Sequence, residues 1–336
     1  MILRVYRALR YAAITVSPSQ LMALSRYPNL QRRGLAKDAQ GGLVLAGTDV
    51  SVLVEARHFL LEGFDLVNDL RLRCGAVFSV NPDDDVILTI GGVSLRLSCW
   101  EELFIAHEVF YCGVYNLRLN KPFSFVDVGM NTGTTALYYA SNPLCTHVHG
   151  FELFAPTARL ARRNLSMNPR LAGKISIHEY GLGAEDQSLD LEYFPDLKGS
   201  IGTAGLPTYA HAAGAKPKSH KVKAEVRSAG PVIARLLRDI GERFLVCKLD
   251  CEGSEYDIVR SLTDSSLLPK ISVFMIEWHL RGPEELKKLL IANGFVCLSF
   301  DEHVKTHGML YAFGDLDFLE KNPHASNLVD ADSPNA

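Results

Sequence analysis

From residue 123 onward the chain alternates between short apolar runs and stretches whose apolar positions recur at helical spacing. The apolar runs fall at 123–128, 147–152, 175–180, 244–250, 271–278, 295–300 and 309–314. They read as seven strands, with the run at 309–314 closing the sheet. Helical periodicity covers 133–141, 156–168, 255–263 and 283–294. Near-continuous apolar strands alternating with helices imply a sheet buried on both faces. The expected fold is therefore α/β, a doubly wound, mainly parallel seven-stranded sheet. Ligands of such sheets lie beyond the carboxyl ends of the strands, near the point where strand order reverses.

Upstream of 123 the pattern changes. NPDD (81–84) is a turn signal, and the alternating segments around Gly91-Gly92 predict a β-hairpin. WEELFIAHEVFYCGVY (100–115) predicts an amphipathic helix, and 52–73 predicts a single helix. Residues 195–220 are rich in Gly, Ala, Pro and Ser and lie between two probable strands, 188–194 and 221–228. A long irregular insert of this kind suits a cover over a site. The polar tail after about 318 reads as loose. The expected organisation is an N-terminal basic and helical extension over 1–80, a catalytic domain over 81–318 and a flexible tail over 319–336.

Composition narrows the function classes. A net charge of -3 over 336 residues gives no case for a nucleic-acid partner. Seven scattered cysteines read as reduced thiols of a cytoplasmic protein, not a disulfide framework. Cys247 and Cys251 have no second pair and make a poor zinc site. No run approaches the length of a membrane span. The first acidic residue is Asp38, and Arg4, Arg7 and Arg10 recur at three-residue spacing. Three readings stand for residues 1–37: a basic amphipathic helix at a membrane surface, an import presequence, and a helix docked on the body of the protein. Oligomeric state is not legible.

The candidate chemistry begins at FVDVGMNTG, a strand that stops at a glycine turn and passes directly into a helix. That geometry aims backbone N–H groups and the positive helix end at a ligand. Gly133 is followed by Thr134 and Thr135 with no lysine, which argues against a phosphate loop. Gly129 and Gly133 do not form a dinucleotide glycine triplet. A nucleoside that carries an amino acid instead of phosphates remains, and S-adenosylmethionine fits. Asp127 suits its ammonium group, Gly129 and Gly133 allow close backbone approach, and Glu152 at the end of the next strand suits the ribose hydroxyls. The competing reading makes Asp127 and Glu152 capping carboxylates.

A second cluster lies in KLDCEGSEYDI, where Lys248, Asp250, Glu252 and Glu255 surround Gly253, and in IEWH, which brings Glu277 and His279. The two strands are expected to be neighbours, so the clusters converge. Asp250 and Glu252 can also be read as helix caps, and His279 as a core histidine.

FVDVGMNTG, GFEL with the following AP, KLDCEGSE and IEWH together resemble the FkbM family of S-adenosylmethionine-dependent methyltransferases, over roughly 86–315. The departures are Met130, Leu153 and Cys251, where the family has a small residue, a proline and an aliphatic residue. The resemblance implies a Rossmann-like class I methyltransferase that O-methylates a hydroxyl of a sugar, glycolipid or natural product. It implies cofactor contacts from Asp127, Gly129, Asn131, Gly133 and Glu152, with Tyr180 and Gly181 flanking adenine. Catalysis then falls to Asp250, His279, Glu255 and Glu252, with Asp250 or His279 as base and no metal among the expected site components; a divalent cation on the acid cluster that lowers the hydroxyl pKa is the lesser reading. The alternative is a non-catalytic cofactor-binding scaffold docked at a membrane.

Overall fold

The computed structural model describes residues 35–37, 43–52, 54–206, 218–241, 244–300 and 306–316. The basic arm before residue 35, the middle of the expected cover (207–217) and the tail from 319 lie outside the described residues. In chain order the strands are β1 (Leu35–Lys37), β2 (Leu43–Leu45), β3 (Val77–Val80), β4 (Val86–Ile90), β5 (Val93–Leu97), β6 (Phe123–Val128), β7 (Cys145–Phe151), β8 (Ile175–His178), β9 (Gly181–Gly183), β10 (Gln187–Tyr193), β11 (His220–Ser228), β12 (Phe244–Leu249), β13 (Val273–His279), β14 (Val296–Phe300) and β15 (His307–Phe313). Seven of them form the main sheet in the order β14-β15-β13-β12-β6-β7-β8. All neighbours are parallel except the two pairs made by β15. This is the doubly wound, mainly parallel sheet expected from the sequence.

One expectation about order is corrected. The last strand does not close the sheet at its edge. β15 inserts antiparallel between β13 and β14, and β14 is the edge.

The side-chain alternation of the central strands divides the core into two layers. Phe123, Phe125, Val246, Val273 and Met275 face one layer, and Val126, Leu245, Cys247, Phe274 and Ile276 face the other. Helices α1 (Phe59–Glu62), α2 (Phe64–Cys74), α3 (Trp100–His107) and α4 (Thr134–Ser141) pack in the first layer. After α5 (Ala155–Ser166) come α6 (Ala229–Ile240), α7 (Glu255–Asp264) and α8 (Glu284–Ala292), and these last three pack in the second layer. Leu45, Val50, Val52, Phe59 and Val67 share one core with Phe123 and Phe125. The N-terminal segment therefore forms part of the layer over the sheet, and β3 pairs with the hairpin β4–β5 in a three-stranded meander.

The single helix expected over 52–73 is broken. A 3-10 turn at Glu55–Arg57 precedes α1, and Gly63 separates α1 from α2. A side-chain carbon on Gly63 would lie 2.5 Å from Leu103 Cδ2, so close packing against α3 explains the glycine. The helix expected over 100–115 also changes character. α3 ends at His107, and Glu108–Cys112 continue as a π-helical turn that stops at Gly113 in the left-handed conformation.

A small sheet, β10-β11-β9, stands beside β8. The strap leaving β10 packs Ile201 with Phe154, Tyr193 and Phe194 in a separate small core.

Candidate active site

β6 and β12 are adjacent, yet the chain runs from β6 outward to β7 and β8 before returning to β12. The strand order therefore reverses between them, and a cavity of about 360 Å³ opens at their carboxyl ends.

One wall is the glycine turn after β6. Asp127 lies directly opposite Lys248 in the register of β6 and β12. Lys248 Nζ is 3.1 Å from Asp127 Oδ1, 3.2 Å from Asp250 Oδ2 and 3.0 Å from the Gly129 carbonyl oxygen. Both Asp127 and Lys248 are buried. Burial favours the neutral lysine, but the two aspartates outweigh it and raise its pKa. Gly129 has φ 75°, and a side-chain carbon there would overlap the Asp250 carbonyl oxygen. The glycine is required by the turn after β12, not by room for a ligand. Gly133 (φ 85°) precedes α4, and a carbon there would meet Met130, Ala161 and Leu165.

Glu152 follows β7. Its two oxygens accept the backbone N–H of Asn131 and of Phe154, each at 2.9 Å. It fixes the glycine turn and the entry to α5 at once. Burial raises its pKa to about 7, against the opposing effect of those two donors. Asn131 adopts φ 50°, and its Oδ1 is buried without a hydrogen-bond partner. Gly181 and Leu182 continue this wall.

The opposite wall carries the acids. Tyr115 OH donates to Glu277 Oε2 at 2.9 Å and to Asp250 Oδ2 at 3.1 Å. Glu255 is fully buried beneath the turn after β12. Its Oε1 accepts Cys251 N at 2.9 Å and faces His279 Nδ1 at 3.0 Å, and its Oε2 accepts Gly253 N at 2.9 Å. His279 Nε2 points the other way, 3.6 Å from Glu252 Oε1 and 3.9 Å from Glu277 Oε1. Tyr256 OH holds the next turn through the carbonyl oxygens of His279 and Gly282. Glu252 (φ 55°) and Leu280 (φ 71°) are both in the left-handed region, where a side chain costs energy. Such strain collects at functional sites.

The electrostatics follow from burying several carboxylates together. Burial and the Asp250 charge push Glu277 up to about 7. Burial, with the charges of Glu277 and Asp250, pushes Glu108 up to about 8. Burial raises Glu252 to about 8, with His279 opposing and Asp250 reinforcing. Burial alone would lower the His279 pKa. The Glu255 hydrogen bond and the surrounding carboxylates outweigh it and push His279 up to about 10.

The strap after β10 borders the cavity through Lys198–Thr203. Glu101 of α3 accepts Gly199 N at 2.8 Å and Ser200 Oγ at 3.0 Å. Buried Lys198 sits 3.1 Å from Glu102. Thr203 Oγ1 and Ser254 Oγ are 3.1 Å apart, which fastens the strap's far side to the turn after β12. The described part of the expected cover thus lies at the site.

Among the residues singled out in the sequence, Gly129, Asn131, Glu152, Gly181, Asp250, Glu252 and His279 line the cavity together. Asp127 is buried against Lys248, Gly133 supports the start of α4, and Glu255 stands behind His279; none of the three reaches the wall. Tyr180 lies beneath the Arg227 guanidinium, 4.0 Å from its ring centre, and is also off the wall. Sequence reasoning missed Glu108, Tyr115 and the catalytic potential of Glu277. The third had a signal, because residues 277 and 279 point to the same side of a strand. Among the described residues no helix is long and apolar enough to cross a membrane. All seven cysteines are free.

The doubly wound sheet places the crevice at its switch point, where open α/β sheets hold their ligands. Residues 127–313 match the Methyltransferase FkbM domain, and the chain belongs to the FkbM methyltransferase family. Methyltransferase 1 of Beauveria bassiana is 29% identical over 170 residues, covering 48% of this chain and 67% of that protein. The AMB antimetabolite synthetase AmbE of Pseudomonas aeruginosa is 25% identical over 220 residues, or 56% of this chain and 10% of that protein. Among solved structures, methyltransferase FkbM from Methylobacillus flagellatus has a TM-score of 0.35 at 12% identity, covering 79% of this chain and 63% of that one. The N-terminal domain of human METTL16 in complex with SAH has a TM-score of 0.34 at 13% identity, covering 91% and 97%.

Proposed function

We propose that this methyltransferase uses S-adenosylmethionine to methylate a hydroxyl of a sugar, glycolipid or natural product. The observation that supports this best is the continuity of the cavity, in which the Glu152 wall and the carboxylate–histidine wall border one space. The first wall suits the cofactor. Asn131 Oδ1 is a buried acceptor without a partner and suits an ammonium group. Each Glu152 oxygen retains acceptor capacity for a ribose hydroxyl after taking one backbone N–H. Gly181, which the family resemblance places at adenine, and Leu182 beside it would flank the ring; Tyr180 is off the wall. When bound, the cofactor supplies an electrophilic methyl on a sulfonium.

The second wall suits the acceptor. In-line transfer forms an O–C bond as the S–C bond breaks, and the hydroxyl proton must go to a base. Glu277 is assigned that part. Its Oε2 is held by Tyr115, its Oε1 is not hydrogen bonded, and a pKa of about 7 matches general-base work near neutrality. This revises the expectation of Asp250 or His279 as base. Lys248 and Tyr115 already occupy Asp250 Oδ2, and His279 at about 10 is cationic at neutral pH. Asp250, Glu252 and His279 then orient the acceptor, and Glu255 positions His279.

The test pairs binding with turnover. Calorimetry with S-adenosylhomocysteine should show binding by the native protein and by Glu277→Gln, and loss in Glu152→Ala. Transfer of labelled methyl to glycans and lipids of a cell extract should disappear in Glu277→Gln. Absence of binding by the native protein would overturn the cofactor, and full turnover by Glu277→Gln would overturn the base.

A further inference from the structure

The acceptor wall gathers several carboxyl groups around one histidine. Asp250, Glu252, Glu277 and Glu108 all border the cavity, and the nearest lysine, Lys248, is already shared between Asp127 and Asp250. One oxygen each of Asp250 and Glu252 and one ring nitrogen of His279 lie within 4.8 Å of one another. Acidic residues alone would not make this a site. The second observation is the histidine. His279 is more than nine-tenths buried, and Glu255 holds its Nδ1. A carboxylate at one ring nitrogen fixes the ring and turns the other nitrogen outward, which is how metal-binding histidines are commonly held. Among the described residues Nε2 makes no hydrogen bond; it faces Glu252 Oε1 at 3.6 Å and Glu277 Oε1 at 3.9 Å. Among the described residues the Glu252 carboxylate makes no hydrogen bond, and Glu252 adopts φ 55° in the turn after β12.

We propose that Asp250, Glu252 and His279 bind a divalent first-row cation, of the Mn²⁺ or Zn²⁺ class, on which the acceptor hydroxyl rests. The inference deepens the reading of this cavity as a hydroxyl methyltransferase site and depends on it for the acceptor. Two oxygens and one imidazole nitrogen are a donor set that such cations accept, and three protein ligands leave coordination positions open for substrate. Ligands at about 2.1 Å stand about 3 to 3.5 Å apart, so the Glu252 carboxylate must draw in on binding. The cation would displace the Nε2 proton of His279. A hydroxyl bound to it becomes more acidic, and its proton leaves to Glu277 Oε1.

The test uses the full chain after removal of metal with a chelator. Mn²⁺ is titrated in and followed by its paramagnetic resonance signal, and Zn²⁺ by competition. In parallel, S-adenosylhomocysteine binding is measured by calorimetry. One Mn²⁺ per chain is expected. Affinity should fall at least tenfold in Glu252→Gln and in His279→Gln, while both variants keep native S-adenosylhomocysteine affinity, which shows that they are folded. A chain that binds S-adenosylhomocysteine but neither cation overturns the cation site and leaves the methyltransferase reading standing. Cation binding at native affinity in both variants also overturns it, since the ion then sits elsewhere. In a chain blind to S-adenosylhomocysteine, circular dichroism reads the fold instead: cation binding lost in variants with the native spectrum and melting temperature supports the site and removes the cofactor reading, and cation binding kept by them overturns the site.

Discussion

Replacing Glu255 by glutamine tests whether this buried carboxylate is the support of the acceptor wall. Its two oxygens accept three N–H groups, two on the Oε1 side and one on the Oε2 side, if His279 Nδ1 carries its hydrogen. Glutamine has nearly the same shape but only one acceptor oxygen. The better orientation places that oxygen toward Cys251 N and His279 Nδ1. The amide NH₂ then faces the Gly253 N–H, donor against donor. A hydrogen bond to a charged group is worth about 1.5–3 kcal/mol, and the orphaned N–H adds about 1 kcal/mol or more. The expected destabilisation is therefore about 2–4 kcal/mol, a thirtyfold or greater change in the folding equilibrium at about 2 kcal/mol. Urea denaturation followed by fluorescence should show a lower midpoint with an unchanged slope. Turnover should fall further than stability alone explains, because the turn carrying Asp250 and Glu252 loses its anchor at Gly253. A midpoint equivalent to less than about 0.5 kcal/mol, the range of ordinary surface changes, would refute the reasoning.

The other predictions probe different walls. Gly129→Ala should destabilise the fold by about 1–3 kcal/mol or more, because the new carbon overlaps the Asp250 carbonyl oxygen; a native melting temperature would show that the two turns can part freely. In the proposed cofactor pose the ribose hydroxyls donate to ionised Glu152, whose pKa is raised to about 7. Affinity for S-adenosylhomocysteine should accordingly fall as pH drops below 7, by up to about tenfold per unit, and a calorimetric series that stays flat from pH 8 to pH 5.5 would contradict that role. Glu101→Ala removes the acceptor for Gly199 N and Ser200 Oγ, so limited proteolysis should cut the strap near those residues faster than in the native chain; equal rates would mean that the strap is held by other contacts.

The sheet was legible because its central strands are apolar on both faces, as in FVDV and FLVCKL, and such runs have few alternatives. The order of the last two strands was not, since β15 reaches its place by antiparallel pairing that local pattern does not encode. Gly63 looked tolerable inside a helix because its cause is the distant Leu103. Asp127 looked like a ligand from its own neighbourhood. Its partner Lys248 lies on another strand, directly across the register, and only pairing β6 with β12 reveals an internal ion pair. Glu152, Asp250, Glu252 and His279 were legible because each ends a strand or opens the turn that follows. Tyr115 and Glu108 were not. They come from the lead-in segment, where a π-helical turn precedes Tyr115; the lead-in at 86–115, ending GVY, resembles that of the family but assigns neither residue a role.

That lead-in has a consequence for how the enzyme can diverge. The family domain begins at residue 127, yet Glu101, Phe104, Glu108 and Tyr115 border the cavity from before it. The proposed acceptor wall is therefore of mixed origin: Asp250, Glu252, Glu277 and His279 lie inside the matched residues, and Glu101, Glu108 and Tyr115 reach the cavity from before them. If the cavity takes a hydroxyl acceptor as proposed, exchange in 100–115 is expected to change which one is admitted while Glu152 and the turn after β6 stay untouched. Grafting that segment between relatives, with Glu101 and its partners in the strap moved as one block, is the corresponding route to altered selectivity.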